Sequence, residues 1–288
     1  MAGNFWQSSH CQQWILSRQD ILRERSVDLK NFSEEEYQKV TVFFSNFILS
    51  LGENLKIRQQ VIATAIVYFR RFYATNSLKS IDPLLLAPTC LWLAAKVEEY
   101  GIQSQTKFIA ACSLVFKNKF AQLFGQQDFP YRVSQIIEAE FYLLEVMDCC
   151  LIVYHAYRPL RQFLQDMGGN QEELRQLSWK VCNDSLRTDL CLLFPPHHIA
   201  LGCLHLASVI LGKKELKQWF AELSVDLCAV LEVERHLFAF YELAKGCAAN
   251  GSSSSFFGAN SEEAKEIASL LQRLPKPITN NGGAPSDR

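Results

Sequence analysis

The chain has 288 residues, 49% hydrophobic and 20% charged, which supplies apolar material for two cores of ordinary size and excludes a disordered body. Its 29 basic residues are balanced by 30 acidic ones for a net charge of -1, so the basic excess that neutralises nucleic-acid phosphates is missing and direct nucleic-acid binding is not expected. The start, Met1 to Trp6, has no basic leader before an apolar core, and the longest apolar run, Ile199 to Gly212, is shorter than the roughly 20 residues that cross a bilayer; an intracellular protein is expected.

Apolar residues recur at helical spacing, first in Tyr37, Val40, Phe44, Phe47, Ile48 and Leu51, and no alternating strand pattern competes. A second stripe runs Val61, Ile62, Ala65, Ile66, Phe69 and Phe72 and breaks near Asn76-Ser77. A third helix starts after Asp82-Pro83, where Asp caps and proline suits the first turn, and it is apolar on all sides from Leu84 to Ala95 except at Thr89. Such a helix belongs at the centre of a bundle. Its pattern (Pro83, Ala87, Cys90, Leu91, Leu93, Ala94) returns 113 residues later as Pro196, Ala200, Cys203, Leu204, Leu206 and Ala207. A period that long predicts two repeated helical domains, with a boundary near Leu151 to Tyr157, rather than a solenoid of short units. After Lys245, Gly251 to Ser255 reads as a flexible linker, Ser261-Glu262-Glu263 as the start of a short helix to Leu274, and the rest as a disordered tail.

Ten cysteines could signal disulfides or a metal site, but none stand as Cys-x-x-Cys and no His-x3-5-His accompanies them. Cys90, Cys112, Cys182 and Cys203 fall in apolar helical stretches, where reduced thiols pack as small hydrophobes, so neither metal nor cofactor is expected. Phosphate-binding loops and hydrolase or zinc-protease motifs are absent. His197-His198 follow Pro195-Pro196 at a helix start, where adjacent rings diverge by about 100 degrees, and they read as exposed or capping.

Certain residues break the helical pattern. Between about 132 and 147 the stripe Val133, Ile136, Ile137, Leu144, Met147 includes Glu140, a carboxylate on a buried face that is costly unless paired. Lys96 stands on an apolar face near the end of the third helix, so the two could pair; alternatively Lys96 reaches water and Glu140 sits on a rim. In the second half, Leu174, Leu177, Val181 and Ser185 mark an inward face, leaving Trp179 and Asn183 nearly opposite. That tryptophan either packs on the neighbouring bundle or, beside Asn183 and Asp184, marks a protein docking site.

Met1 to His10, Leu55 to Thr64, Ser80 to Pro83, Lys96-Val-Glu-Glu99, Glu140-Phe-Tyr-Leu-Leu144, Met147 to Tyr154, Asn183-Asp184, Arg187 to Leu193 and Gln218 to Asp226 together resemble the cyclins, most closely those serving the Mediator kinase module. The resemblance implies an all-α fold of two tandem five-helix cyclin boxes behind an N-terminal helix: extension 1–34, boxes 35–150 and 151–245, and 246–288 as linker, short helix and tail. It implies a nuclear regulatory subunit, not an enzyme, that activates a cyclin-dependent kinase of the Mediator kinase module and meets other Mediator subunits. Kinase contact is implied at Lys96, Glu99, Glu140, Phe141 and Leu144, and partner docking in an inter-box groove at Trp6, Glu98, Trp179, Asn183, Asp184 and Tyr241. Where cell-cycle cyclins carry a Met-Arg-Ala-Ile-Leu patch, this chain reads Val40 to Phe44, so their mode of substrate recruitment is not expected. A loop at about 120–130 is expected between the fourth and fifth helices. The alternative is a cyclin-fold initiation factor that contacts DNA or the basal machinery directly.

Overall fold

The computed structural model describes residues 3–101, 104–124, 128–168, 171–213, 216–223, 225–248, 266 and 269–274, and all regular structure among them is helical. Ahead of the first bundle, the Ser8 and Ser17 hydroxyls accept from the amides of Cys11 and Asp20, starting two short helices, α1 (Ser9–Gln13) and α2 (Arg18–Glu24). Turns of 3-10 helix at Phe5–Gln7 and Arg25–Lys30 flank them. The N-terminal helical extension is thus four short pieces.

The first bundle comprises α3 (Glu34–Asn54), α4 (Gln59–Thr75), α5 (Pro83–Val97), α6 (Gln105–Phe124) and α7 (Val133–Val146). Helix α3 opens with a reciprocal capping box between Ser33 and Glu36, and its whole expected stripe is buried. Helix α5 starts as expected, with the Asp82 carboxylate accepting from the Leu84 amide at 2.8 Å and Pro83 in the first turn. Helix α6 continues to Phe124, so most of the first half of the expected 120–130 loop is helical.

The second bundle comprises α8 (Tyr157–Asp166), α9 (Glu172–Ser185), the single turn α10 (Leu190–Leu193), α11 (Pro196–Ile210), α12 (Leu216–Glu222) and α13 (Leu227–Ala248). Helices α5 and α11 are both 15 residues long, both open on proline, and Ala87, Cys90, Leu91 and Ala94 are as inaccessible as Ala200, Cys203, Leu204 and Ala207. The duplication reaches further than the sequence pattern shows. Ile136, Ala139, Glu140 and Leu143 of α7 are buried at the same spacing as Val230, Val233, Glu234 and Leu237 of α13, so each bundle carries a carboxylate at one internal position.

Each bundle closes its own hydrophobic core, one built on α3 to α7 and one on α8 to α13. A small third cluster of Ile21, Ala74 and Leu192 joins α2, α4 and α10 at the junction. Near the C-terminus Glu266 and residues 269–272 are helical, and Leu270 and Leu274 are buried in the first core. The expected linker at Gly251 to Ser255, the helix start at Ser261 to Glu263 and the tail after Leu274 lie outside the described residues.

Candidate functional site

The two misplaced charges of the first bundle meet. Lys96, in the last turn of α5 where a cation is favoured, is in direct hydrogen-bonded contact with Glu140 of α7. The lysine side chain is 34% exposed and the glutamate side chain only 9%, so the pair lies at the surface with the carboxylate beneath the ammonium. These charges therefore neutralise each other in the free chain instead of waiting for groups from elsewhere. An ammonium has three donors and this contact engages one, which leaves Lys96 able to give further hydrogen bonds outward.

Around the pair, Phe141 is 68% exposed and Tyr142 59%, while Leu144, one turn beyond Glu140, is half-buried against the first core. Exposed Glu99 ends α5 in the left-handed conformation (φ 51°), and the amides of Glu99 and Tyr100 close the helix on the carbonyls of Lys96 and Ala95. Glu99, Lys96, Glu140, Phe141 and Leu144 thus border one seam between the end of α5 and the outer side of α7.

The second set of residues surrounds the junction of the bundles. Glu98 accepts from Gln60 Nε2 (2.8 Å) and Thr64 Oγ1 (2.6 Å), and Thr64 also meets His155 Nε2 at 2.7 Å. Burial, reinforced by the Arg71 charge, pushes the His155 pKa down to about 4 and keeps that ring neutral at pH 7. The Tyr157 hydroxyl donates to Asn183 Oδ1 at 2.7 Å, and Gln59 Nε2 donates to both at 3.3 and 3.4 Å. Trp179 lies outward as expected, 38% exposed, with one face stacked on Tyr157 at 4.8 Å, so it packs within its own bundle.

Asp184 accepts from the Tyr241 hydroxyl (3.0 Å) and pairs with Arg187, which donates to Asn46 on α3. Burial raises the Asp184 pKa despite Arg187. Through Gln59, Gln60 and Thr64, α4 therefore connects Glu98 with Asn183 and with Tyr157, on which Trp179 stacks, and a cleft of about 220 Å³ beside Gln59 takes in Asn183 and Asp184. Trp6 sits elsewhere in the contact pattern, 62% exposed against Phe5 and His197. His197 and His198 are half-buried with ring centroids 4.3 Å apart, rather than exposed and divergent, because Trp6 and Phe5 cover His197.

The most extensive polar network is one that residue patterning missed. Asp189, buried at the bundle junction, receives Arg25 through two bonds (2.6 and 3.0 Å), Arg70 at 2.8 Å and Gln38 at 2.9 Å. Arg70 also donates to the carbonyls of Leu186, at 3.1 Å, and Arg187. Burial opposes the Asp189 charge, but Arg25 foremost, with Arg70 and Gln38, holds the carboxyl far below the usual range. One carboxylate thereby ties the N-terminal extension, two of the five first-bundle helices, α3 and α4, and the second bundle together. The available signal was Arg70-Arg71 inside the otherwise apolar run of α4.

In the second bundle, Glu234 pairs with His205 of α11 at 2.5 Å. This repeats the helix-to-helix pairing of Glu140 with histidine, which titrates near neutral pH, in place of lysine. Among the described residues no group of three or more His, Cys, Asp or Glu could hold a metal, and no helix is long and apolar enough to cross a membrane.

Comparison with known proteins places this architecture. Residues 15–152 match the model of the cyclin N-terminal domain, and residues 155–237 match a cyclin C-terminal domain. Proteins called cyclin-C are similar over nearly the whole chain: 57% identical in Drosophila melanogaster (96% of this chain, 98% of that one) and 55% in Rattus norvegicus (96% and 92%). Among solved structures, a chain of the CAK complex of Chaetomium thermophilum bound to ATP-gamma-S superposes with a TM-score of 0.65 at 20% identity, covering 95% of this chain and 89% of that one. A chain of the yeast RNA Pol II CTD kinase CTDK-1 complex does so at 0.60 and 19% identity, covering 89% and 83%. Members of this family are regulatory subunits of kinase complexes and not themselves catalytic. With both domain models matched in order and more than half its residues shared with cyclin-C proteins along its length, the chain belongs to the cyclin family, on its cyclin-C branch.

Proposed function

We propose that this chain binds and activates a cyclin-dependent kinase of the Mediator kinase module, and so regulates RNA polymerase II transcription in the nucleus. The observation that carries the reading is the Lys96–Glu140 pair at the surface between α5 and α7, flanked by exposed Phe141 and Tyr142. Exposed aromatics are enriched at interfaces, and a charge pair beside them supplies orientation and specificity. Free donors on Lys96 suit the carbonyl end of a kinase helix, and Phe141 and Leu144 its apolar side. Holding that helix inward aligns the kinase's own Lys–Glu pair and metal-binding loop for phosphoryl transfer, so the chemistry stays on the kinase. Glu99 borders the same contact. The groove residues Glu98, Trp179, Asn183, Asp184 and Tyr241 serve other Mediator subunits in this reading, with exposed Trp6, set apart from them against His197, as a separate contact.

The test exploits the self-pairing of the two charges. Exchanging them (Lys96→Glu with Glu140→Lys) keeps the internal pair and the fold while reversing the charge presented outward. The exchanged protein should keep its circular dichroism and a cooperative melt, lowered by a few degrees at most because a carboxylate now ends α5, but bind the kinase at least tenfold more weakly, and Phe141→Ala should cost about 2 kcal/mol of binding. Undiminished kinase binding by the folded exchange variant would refute the reading. A DNA complex in a low-salt gel shift would instead favour an initiation factor.

A further inference from the structure

Arg70 and Arg71 of α4 are both buried, yet only Arg70 is paired with a carboxylate. Arg71 donates through Nη1 to the Cys150 carbonyl at 2.9 Å, and its guanidinium carbon lies 4.9 Å from the centre of the Trp14 ring. Its Nε and Nη2 have no hydrogen-bond partner among the described residues. Burial brings its pKa from 12.5 down to about 10, so the guanidinium is still charged at pH 7. The groups whose charge acts on it most are two thiols and a phenol, Cys191, Cys150 and Tyr68, rather than carboxylates. A cation kept out of water in this way is costly unless an anion meets it.

The unmatched groups beside Arg71 are donors as well. Trp14 is buried, and its Nε1–H has no partner among the described residues. One turn earlier, buried His10 accepts the Tyr154 amide on Nδ1 at 3.1 Å, which places the ring proton on Nε2. That Nε2–H stands beside the Cys191 carbonyl without completing a hydrogen bond. The three residues are neighbours, since the Trp14 amide donates to the His10 carbonyl at 3.2 Å, Trp14 covers Arg71, and the Arg71 charge acts on His10. Next to them lies a cavity of about 20 Å³ whose wall includes His10, Val67, His155 and Cys191. Val67 is one turn before Arg71 on the same face of α4, and the Arg71 charge acts on the other three. Such a volume admits one small occupant and no organic molecule.

We propose that Arg71, Trp14 and His10 enclose a binding site for a chloride ion, which fastens the N-terminal extension to α4 and to the Cys191 edge of the second bundle. Water satisfies the same donors but leaves the guanidinium charge unmatched, whereas a small anion answers both needs. No residue of the Lys96–Glu140 seam takes part in the site.

The probe is chloride itself, with gluconate, too large for the cavity, holding the ionic strength constant. Thermal melts of the full chain in about 150 mM chloride should lie about 2 to 4 °C above those in about 5 mM chloride. Arg71→Met keeps an apolar stem and removes the charge, so its melting temperature should be the same in both buffers. Trp14→Phe keeps a ring over Arg71 and deletes the N–H, and it should roughly halve the chloride shift. Identical melting of the unaltered protein in both buffers, or a full shift retained by Arg71→Met, overturns the proposal. Bromide gives a second reading that does not depend on a variant folding. Crystals of the unaltered protein soaked in bromide should show an anomalous peak in contact with Arg71 Nη2, whereas ordered water there and no bromide overturns the proposal.

Discussion

Asp189 shows how much one side chain can carry. Two arginines from different parts of the chain converge on it in a buried site, and removing its charge leaves both without their counter-ion. Asp189→Asn should therefore lower stability by about 3 to 5 kcal/mol in chemical denaturation, the cost of stranding buried charge. Because its folded pKa is depressed, the stability it contributes is present above the ordinary carboxylate pKa and is lost as the pH falls below that toward the folded value, a dependence the Asn variant should lack. His205 works in the opposite sense. The hydrogen bond to Glu234 raises its pKa against burial, so its contribution is complete below 6.5 and disappears as the pH climbs through the raised value. Urea midpoints of wild type should fall above pH 6.5 relative to those of His205→Gln, whose profile should be flatter. Lys96 and Glu140 were legible because each charge interrupts an apolar stripe on its own helix. The Arg70–Asp189 pair was not, because 119 residues separate its members and nothing local relates them.

At the scale of elements, local chemistry and close packing divide the work. The start of α5 was readable from Asp82-Pro83 alone, since both the cap and the first-turn proline act within one turn. The approach of α11 to α13 was not. A Cβ on Gly202 would lie 2.5 Å from Val233 Cγ1 and 3.3 Å from the Val230 carbonyl, so glycine is what lets these helices touch. Gly202→Ala should destabilise by about 1 to 3 kcal/mol despite alanine's better helix propensity, and Val233→Ala in the same chain should recover part of that loss in thermal melts. The N-terminal extension shows the tertiary side of that division: its break into short helices and 3-10 turns accompanies Arg25 turning inward to Asp189 and Trp14 covering Arg71.

Across the whole molecule, two separate cores could unfold separately, and the buried network at their junction opposes this. Calorimetry of wild type should show one cooperative transition, and Asp189→Asn should split it into two. The sequence by itself determined that the chain is helical, that it is built twice on one plan, and that two charges stand where apolar residues belong; helical period, duplication and misplaced charge are all local or repeated features. Tertiary structure alone decided that those charges pair with each other, that Glu234 repeats Glu140, that Asp189 locks the halves, and that Leu270 and Leu274 return to the first core. Spacing along a chain sets which residues share a face, but which faces meet depends on how finished helices pack, and that is settled only when both bundles are assembled.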